Sequence, residues 1–192
     1  MSVQARSRTT DKRYYGVYEA IVTDVNDPAK EARVKVRFPW FDEQMVSEWC
    51  RVRQAYAGNG YGSVFIPEPG DEVLVAFIQG DMRLPIILGG LYNGQDKPPT
   101  SRADDKDEKV IRTKGGHQIT LDDTSGKEKI TIVDSEEKNR IEIDTSKNEI
   151  RVSSTTGKLI LEANEIEIKA KAGMKVEAGA DLKLKGATIN LN

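Results

Sequence analysis

Ile130-Thr131-Ile132, Ile141-Glu142-Ile143 and Ile150-Arg151-Val152 share one pattern: two aliphatic residues flank a single polar one. Period 2 places the aliphatic pair on one face of a short strand and the polar residue on the other. Extended in both directions, the pattern gives nine pairs: Ile119/Leu121, Ile130/Ile132, Ile141/Ile143, Ile150/Val152, Leu159/Leu161, Ile166/Ile168, Met174/Val176, Leu182/Leu184 and Ile189/Leu191. Their starting positions step by 11, 11, 9, 9, 7, 8, 8 and 7 residues. The middle residue is polar in every pair except the one holding Ile160. Turn formers separate the pairs, among them Thr124-Ser125-Gly126, Ser146-Lys147-Asn148, Thr155-Thr156-Gly157, Ala172-Gly173 and Ala178-Gly179-Ala180. A short repeat of strand plus turn is the mark of a β-helix or β-solenoid.

Such a repeat has a thin core. Burying a Leu or Ile stabilises by roughly 1.5–3 kcal/mol, and fixing each backbone residue costs about 1–2 kcal/mol. Two aliphatic residues in a repeat of about eight fall short on burial alone, so cover from other chains is expected. Three chains wound about one axis would form a triangular prism with the pairs inside and the Glu, Lys, Arg and Thr outside. With one strand spacing of about 4.8 Å per segment, the prism would be a rod roughly 40 Å long.

The first half has a different composition. All twelve aromatic residues lie at or before Tyr92, and the last proline is Pro99. The expected organisation is an N-terminal arm over residues 1–12, a β domain over 13–95, a linker or neck over 96–112 and the repeat over 113–192. Asp96-Lys97-Pro98-Pro99-Thr100 and Asp104-Asp105-Lys106-Asp107-Glu108-Lys109 mark the linker, because prolines and dense charge join a sheet poorly. Strands are expected over Tyr14–Asp24, Arg33–Phe38, Glu48–Arg53, Ser63–Ile66, Glu72–Ile78 and Pro85–Tyr92, with Gly58-Asn59-Gly60-Tyr61-Gly62 as a turn. Short strands with Gly/Pro punctuation suggest a small closed barrel, of OB or SH3-like type.

Charge and composition narrow the function. With 29 basic and 31 acidic side chains, the chain lacks the basic excess of most nucleic-acid-binding domains. No apolar run approaches a membrane span, and the start lacks the apolar stretch of a secretory signal. One cysteine, Cys50, allows no internal disulfide, and one histidine, His117, provides no zinc cluster. No catalytic, cofactor-binding or metal residues are assigned. Cys50 is expected to be a small buried hydrophobe, and Asp122-Asp123 solvated turn charge without calcium-loop spacing. The glycine run at 58–62 is read as structural, because no Lys or Ser/Thr follows it at P-loop spacing. Paired acids in a cleft, which a lysin-like hydrolase needs, are not apparent.

The run Trp49-Cys50-Arg51-Val52, Ala57-Gly58-Asn59-Gly60-Tyr61-Gly62-Ser63-Val64-Phe65-Ile66-Pro67-Glu68-Pro69-Gly70-Asp71-Glu72-Val73-Leu74-Val75-Ala76-Phe77, Gly80-Asp81, Pro85, Gly89-Gly90-Leu91-Tyr92-Asn93-Gly94 and Pro98-Pro99 resembles the OB-fold domain of contractile-injection spikes. That family includes the VgrG proteins of type VI secretion and the baseplate assembly protein V spikes of phage-like particles. The resemblance implies an all-β chain: an OB barrel followed by an intertwined triple-stranded β-helix. It implies a homotrimeric, membrane-piercing needle assembled in the bacterial cytoplasm as part of a phage tail-like particle. Its partners would be a baseplate hub protein, a PAAR-type tip protein, effector cargo and, transiently, the target membrane, with no nucleic acid. Full VgrG proteins begin with a large hub domain, whereas this chain starts at the OB domain; it resembles either the short phage-like spikes or a piece of a longer VgrG. Carried onto this chain, the nine pairs form the trimer core, Ile189, Leu191 and Asn192 dock the tip protein, and Trp40 and Phe41 contact the hub or a neighbouring barrel. His117 would lie at the needle's entrance. The alternative reading is an OB-fold sugar or nucleic-acid binding module with a β-solenoid tail.

Overall fold

The computed structural model describes residues 13–101 and 107–190. The chain is all-β and divides into two compact units, residues 1–105 and 106–192. The expected arm over residues 1–12, part of the expected linker, Leu191 and Asn192 lie outside the described residues.

In the first unit, the strands are β1 (Val17–Asp24), β2 (Lys35–Phe38), β3 (Asp42–Val46), β4 (Arg51–Val52), β5 (Ala57–Gly58), β6 (Tyr61–Gly62), β7 (Glu72–Phe77) and β8 (Pro85–Gly90). One sheet runs β3-β2-β1-β7-β8-β4, and β5 pairs only with β6. All pairings are antiparallel except β4 with β8, where Arg51 lies opposite Ile86. The sheet closes on itself where Val34 pairs with Cys50, each N–H donating to the other's carbonyl at 3.0 and 2.8 Å. The closed circuit β1-β2-β4-β8-β7 with one parallel contact is the five-stranded OB topology, which resolves the OB-versus-SH3 alternative.

Alternation builds the barrel core. Ala20 and Val22, Val34, Val36 and Phe38, and Val73, Val75 and Phe77 point inward at every second position, joined by Cys50 and Ile87. Cys50 is 1% exposed, and burial pushes its thiol pKa up. Asp27 closes the loop between β1 and β2 by accepting from Arg33 Nε at 3.0 Å and Nη2 at 2.8 Å, and from the N–H groups of Ala29 and Glu31. The Arg33 guanidinium holds the Asp27 carboxyl far below the usual range.

Three sequence expectations change here. Tyr14–Gly16 do not join β1, because Gly16 turns the chain at a φ of +103°. Ser63–Ile66 is not a strand. The Gln54 side chain takes the place of a strand partner, accepting from Phe65 N–H at 3.0 Å and donating to its carbonyl at 3.1 Å. The glycine run is the β5–β6 hairpin, in which a Cβ on Gly62 would lie 2.5 Å from the Tyr56 carbonyl oxygen.

The second unit is a meander of β9 (Glu108–Arg112), β10 (Gln118–Asp122), β11 (Lys129–Val133), β12 (Asn139–Asp144) and β13 (Glu149–Ser154), each antiparallel to the next. Strand β9 lies inside the stretch expected to be neck: despite the charge around it, Val110 and Ile111 pair with Thr120 and Ile119. Aspartates at the ends of three strands organise the turns. Asp122 Oδ1 accepts from Thr124 N–H at 2.9 Å, and Asp134 Oδ1 from Lys138 N–H at 2.9 Å. Asp144 Oδ1 accepts from Lys147 N–H at 3.0 Å and Ser146 Oγ at 2.6 Å, while Lys147 Nζ donates to its Oδ2 at 2.7 Å.

The later pairs depart from the expected regular repeat. From Leu159/Leu161 onward they form no strand among the described residues, so pairing within the chain reaches only as far as Ser154. Leu159, Leu161, Ile166, Ile168, Met174, Val176, Leu182, Leu184 and Ile189 were expected in a core, yet in the single chain each is at least half exposed. The physical reason is the missing sheet. Without a paired neighbour, Leu182 and Leu184, like the pairs before them, have no aliphatic residue of their own chain stacked above or below.

Candidate functional site

The register of the meander stacks the aliphatic pairs into two ladders. Leu121, Ile130, Ile143 and Ile150 lie opposite one another in one, and Ile111, Ile119, Ile132, Ile141 and Val152 in the other. Lys109 heads the first ladder where an aliphatic residue would stand. This substitution hid the earliest repeat from the sequence pattern, although Lys109/Ile111 precedes Ile119/Leu121 at a spacing close to the later steps.

Burial is inverted relative to an ordinary half-covered sheet. Ile119, Leu121, Ile130, Ile132, Ile141 and Ile143 are 39–45% exposed, and Ile150 and Val152 on the last strand more so, whereas Thr120 and Thr131 on the opposite face are 9% exposed. The residues expected at the trimer core are therefore not a core within one chain, because no second layer of the same chain lies over them. The polar face is covered by its own long side chains: Gln118 Nε2 donates to Thr120 Oγ1 at 2.8 Å, and Arg140 Nη1 pairs with Glu142 Oε2 at 3.1 Å. The aliphatic face has no such cover. A contiguous apolar face of this kind marks an association surface. Its second ladder lines a shallow groove of about 480 Å³ that also takes in His117 and Leu159. His117 belongs to the turn between β9 and β10, and its Nδ1 accepts from Ser135 N–H at 3.3 Å.

The other residues singled out in sequence sit elsewhere. Trp40 and Phe41, 41% and 48% exposed, belong to an aromatic group with Tyr14, Tyr18, Phe38 and Phe77. Trp40 stacks on Tyr18 at 4.7 Å, and its Nε1 donates to the Glu19 carbonyl at 2.9 Å. Part of each ring therefore has a structural task within the barrel. Of the residues expected to dock a tip protein, Ile189 is half exposed and the other two lie outside the described residues. A groove of about 630 Å³ between β8 and the segment at residues 52–67, flanked by exposed Phe65 and Tyr92, had no counterpart in the sequence reading. Barrel closure assembles it from residues distant in the chain.

The barrel also carries the family relationship. Residues 18–92, from β1 to just past β8, match the model of the type VI secretion system/phage-baseplate injector OB domain. Through this domain the chain is similar to the VgrG/baseplate V family. It is 39% identical over 100 residues to the type VI secretion system spike protein VgrG3 of Vibrio cholerae, covering 47% of this chain and 10% of that protein. It is 36% identical over 102 residues to the spike protein VgrG2a of Pseudomonas aeruginosa, covering 48% of this chain and 12% of that protein. It is 36% identical over 103 residues to the actin cross-linking toxin VgrG1 of Vibrio cholerae, covering 49% of this chain and 9% of that protein. The matched region thus spans about a tenth of these relatives' length.

Proposed function

We propose that the chain is the central spike of a contractile injection apparatus: a homotrimer whose second unit forms a membrane-piercing needle. The observation that carries this reading is the uncovered pair of aliphatic ladders in a chain that also holds an injector-family barrel. Three such faces turned toward one axis would bury the ladders and leave the polar faces in water. The needle transmits contraction force and carries effector cargo, and the chain itself performs no catalysis. The spike is assembled in the bacterial cytoplasm into a phage tail-like particle. Trp40 and Phe41 contact the hub or the neighbouring barrel, and the end of the needle around Ile189, Leu191 and Asn192 receives a PAAR-type tip protein.

Immunogold electron microscopy of particles from the producing cell tests the placement. Antibody against this chain is expected at the baseplate end of the sheath; label along the sheath, or none on particles, would overturn it. The tip assignment has its own test. Changing Ile189 and Leu191 to Asp is expected to abolish binding of the PAAR-type protein while the trimer persists, and unchanged binding would remove that assignment.

A further inference from the structure

Asparagine is followed by glycine twice in the chain, at Asn59-Gly60 and Asn93-Gly94. This dipeptide is open to a reaction with itself. Glycine has no side chain to crowd its nitrogen, so that nitrogen can reach the carboxamide carbon of the preceding asparagine. The fold places the two pairs in opposite situations.

Asn59-Gly60 is the two-residue turn of the β5–β6 hairpin, flanked by the paired Gly58 and Tyr61. Both turn residues are exposed. Gly60 has a φ of +78°, with open space where a Cβ would stand. Among the described residues, the Asn59 carboxamide has no hydrogen-bond partner and the Gly60 N–H donates to no backbone carbonyl. Asn93-Gly94, just past β8, is held at both ends of its carboxamide. Asn93 Oδ1 accepts from the N–H groups of Gln95 at 2.8 Å and Asp96 at 2.7 Å. Its Nδ2 donates to Glu72 Oε2 at 2.7 Å and Asp96 Oδ2 at 3.0 Å. Turning the Asn93 carboxamide carbon toward the Gly94 nitrogen would take it out of these four hydrogen bonds, two of them to carboxylates. Glu72 and Asp96 also oppose the negative charge that develops as such a ring closes.

We propose that Asn59 is a site of spontaneous deamidation and that Asn93, with the same neighbour in sequence, is locked against it. The Gly60 nitrogen gives its proton to hydroxide and attacks Asn59 Cγ. The bond from Cγ to Nδ2 breaks, and that nitrogen leaves as ammonia after taking a proton from water. The product is a five-membered succinimide, which water then opens. Cleavage between Cγ and the Gly60 nitrogen gives aspartate. Cleavage between the Asn59 backbone carbonyl carbon and that nitrogen gives isoaspartate, with the main chain running through the former side chain. Either way one water is consumed, one ammonia is lost and a neutral amide becomes a carboxylate.

The product alters one patch of the barrel surface. Isoaspartate adds a methylene to the turn, so Gly58 and Tyr61 lose their register. The Tyr61 ring lies against Gly58, where a Cβ would be 2.2 Å from its Cζ, and 5.3 Å from the Tyr56 ring. The exposed tyrosine pair therefore shifts with the turn. Strand β5 pairs only with β6, so the six-stranded sheet is not involved and barrel melting is expected to stay unchanged.

The test is to incubate the full chain at mildly alkaline pH and follow both sites by tryptic digestion and mass spectrometry. The sites fall in separate peptides, residues 54–83 and 84–102, each with a single asparagine. The first peptide is expected to gain steadily the mass difference between carboxamide and carboxyl, and to split into aspartate and isoaspartate forms on chromatography. The second should convert at least about tenfold more slowly, the equivalent of one hydrogen bond to a charged group. Asp96→Ala should speed conversion at Asn93 and leave Asn59 unchanged. In urea the difference between the two sites should largely disappear. Equal rates in the folded chain, or no conversion at Asn59, would overturn the proposal. A difference that persists in urea would overturn it too, since the neighbouring sequence rather than the fold would then set the rates.

Discussion

The barrel and the meander use the same alternation of apolar and polar residues and reach opposite outcomes. In the barrel the sheet curls until Val34 meets Cys50, and every inward side chain faces another. Phe38, Val36, Val73, Val75 and Ile87 are fully buried without any second chain. In the meander five strands lie in sequence order, no pairing among the described residues closes the circuit, and the aliphatic residues of the two ladders stay 39% or more exposed. A period of two specifies which face is apolar; topology decides whether the chain itself can cover that face.

The sharpest way to break the comparison is a charge on one ladder. Ile132→Asp is expected to prevent association, lowering the native mass to that of one chain, while the barrel stays folded. The aromatic residues all lie at or before Tyr92, so near-ultraviolet circular dichroism reports the barrel alone and should be unchanged. Loss of that signal in the variant would show that the two units do not fold independently.

Phe38→Ala should do the reverse. Its ring is fully buried between Trp40 and Phe77, and truncation is expected to destabilise the barrel by about 3–5 kcal/mol, read as denaturation followed by the same aromatic signal.

Acid sharpens the comparison further. The Arg33 guanidinium depresses the Asp27 carboxyl and, in the turn between β7 and β8, Arg83 brings that of Asp81 down to about 2. In the meander, Lys147 and Ser146 depress Asp144. A carboxyl whose pKa is lowered by folding contributes fully above its unfolded value near 4, and that contribution disappears as pH falls through the folded value. Barrel melting temperature is therefore expected to be flat from pH 7 to about 5 and to fall between about pH 4 and 2. Asp81→Asn should flatten part of that fall.

The smallest effect is expected on the polar face. Thr131→Val should change stability in chemical denaturation by about 1 kcal/mol or less, since the proposed trimer turns the opposite face inward. A large loss of association would mean that the face turned inward had been assigned the wrong way round.

Much of this was legible in sequence, because it depends on neighbours. Alternation in Arg33–Phe38 and Glu72–Ile78 marked barrel strands, and the first four aliphatic pairs marked β10 to β13. What escaped depends on contacts the chain makes at a distance. The β3 strand has exposed, acidic Asp42 and Glu43 and exists because it hydrogen-bonds to β2. Ser63–Ile66 has strand-like composition, but the Gln54 side chain occupies the pairing position. Strand β9 was obscured by Lys109 at a ladder position, and the barrel groove by its assembly from segments that closure alone brings together. The pairs Met174/Val176 and Leu182/Leu184 show the same limit from the other side: the alternation is plain, but the chain offers them no strand to pair with. Trp40 and Phe41 were visible as exposed aromatics, while their packing against Tyr14 and Tyr18 was not.

The most direct test of the central claim, that the ladders are covered by other copies of the same chain, is the mass in solution by light scattering on a sizing column. The chain is 21.4 kDa. The account predicts a species of about three times that mass, resistant to SDS until heated. A stable, well-folded species of one chain mass would contradict it: the aliphatic face would then be tolerated in water or covered from within, and the OB-fold binding module would become the better reading.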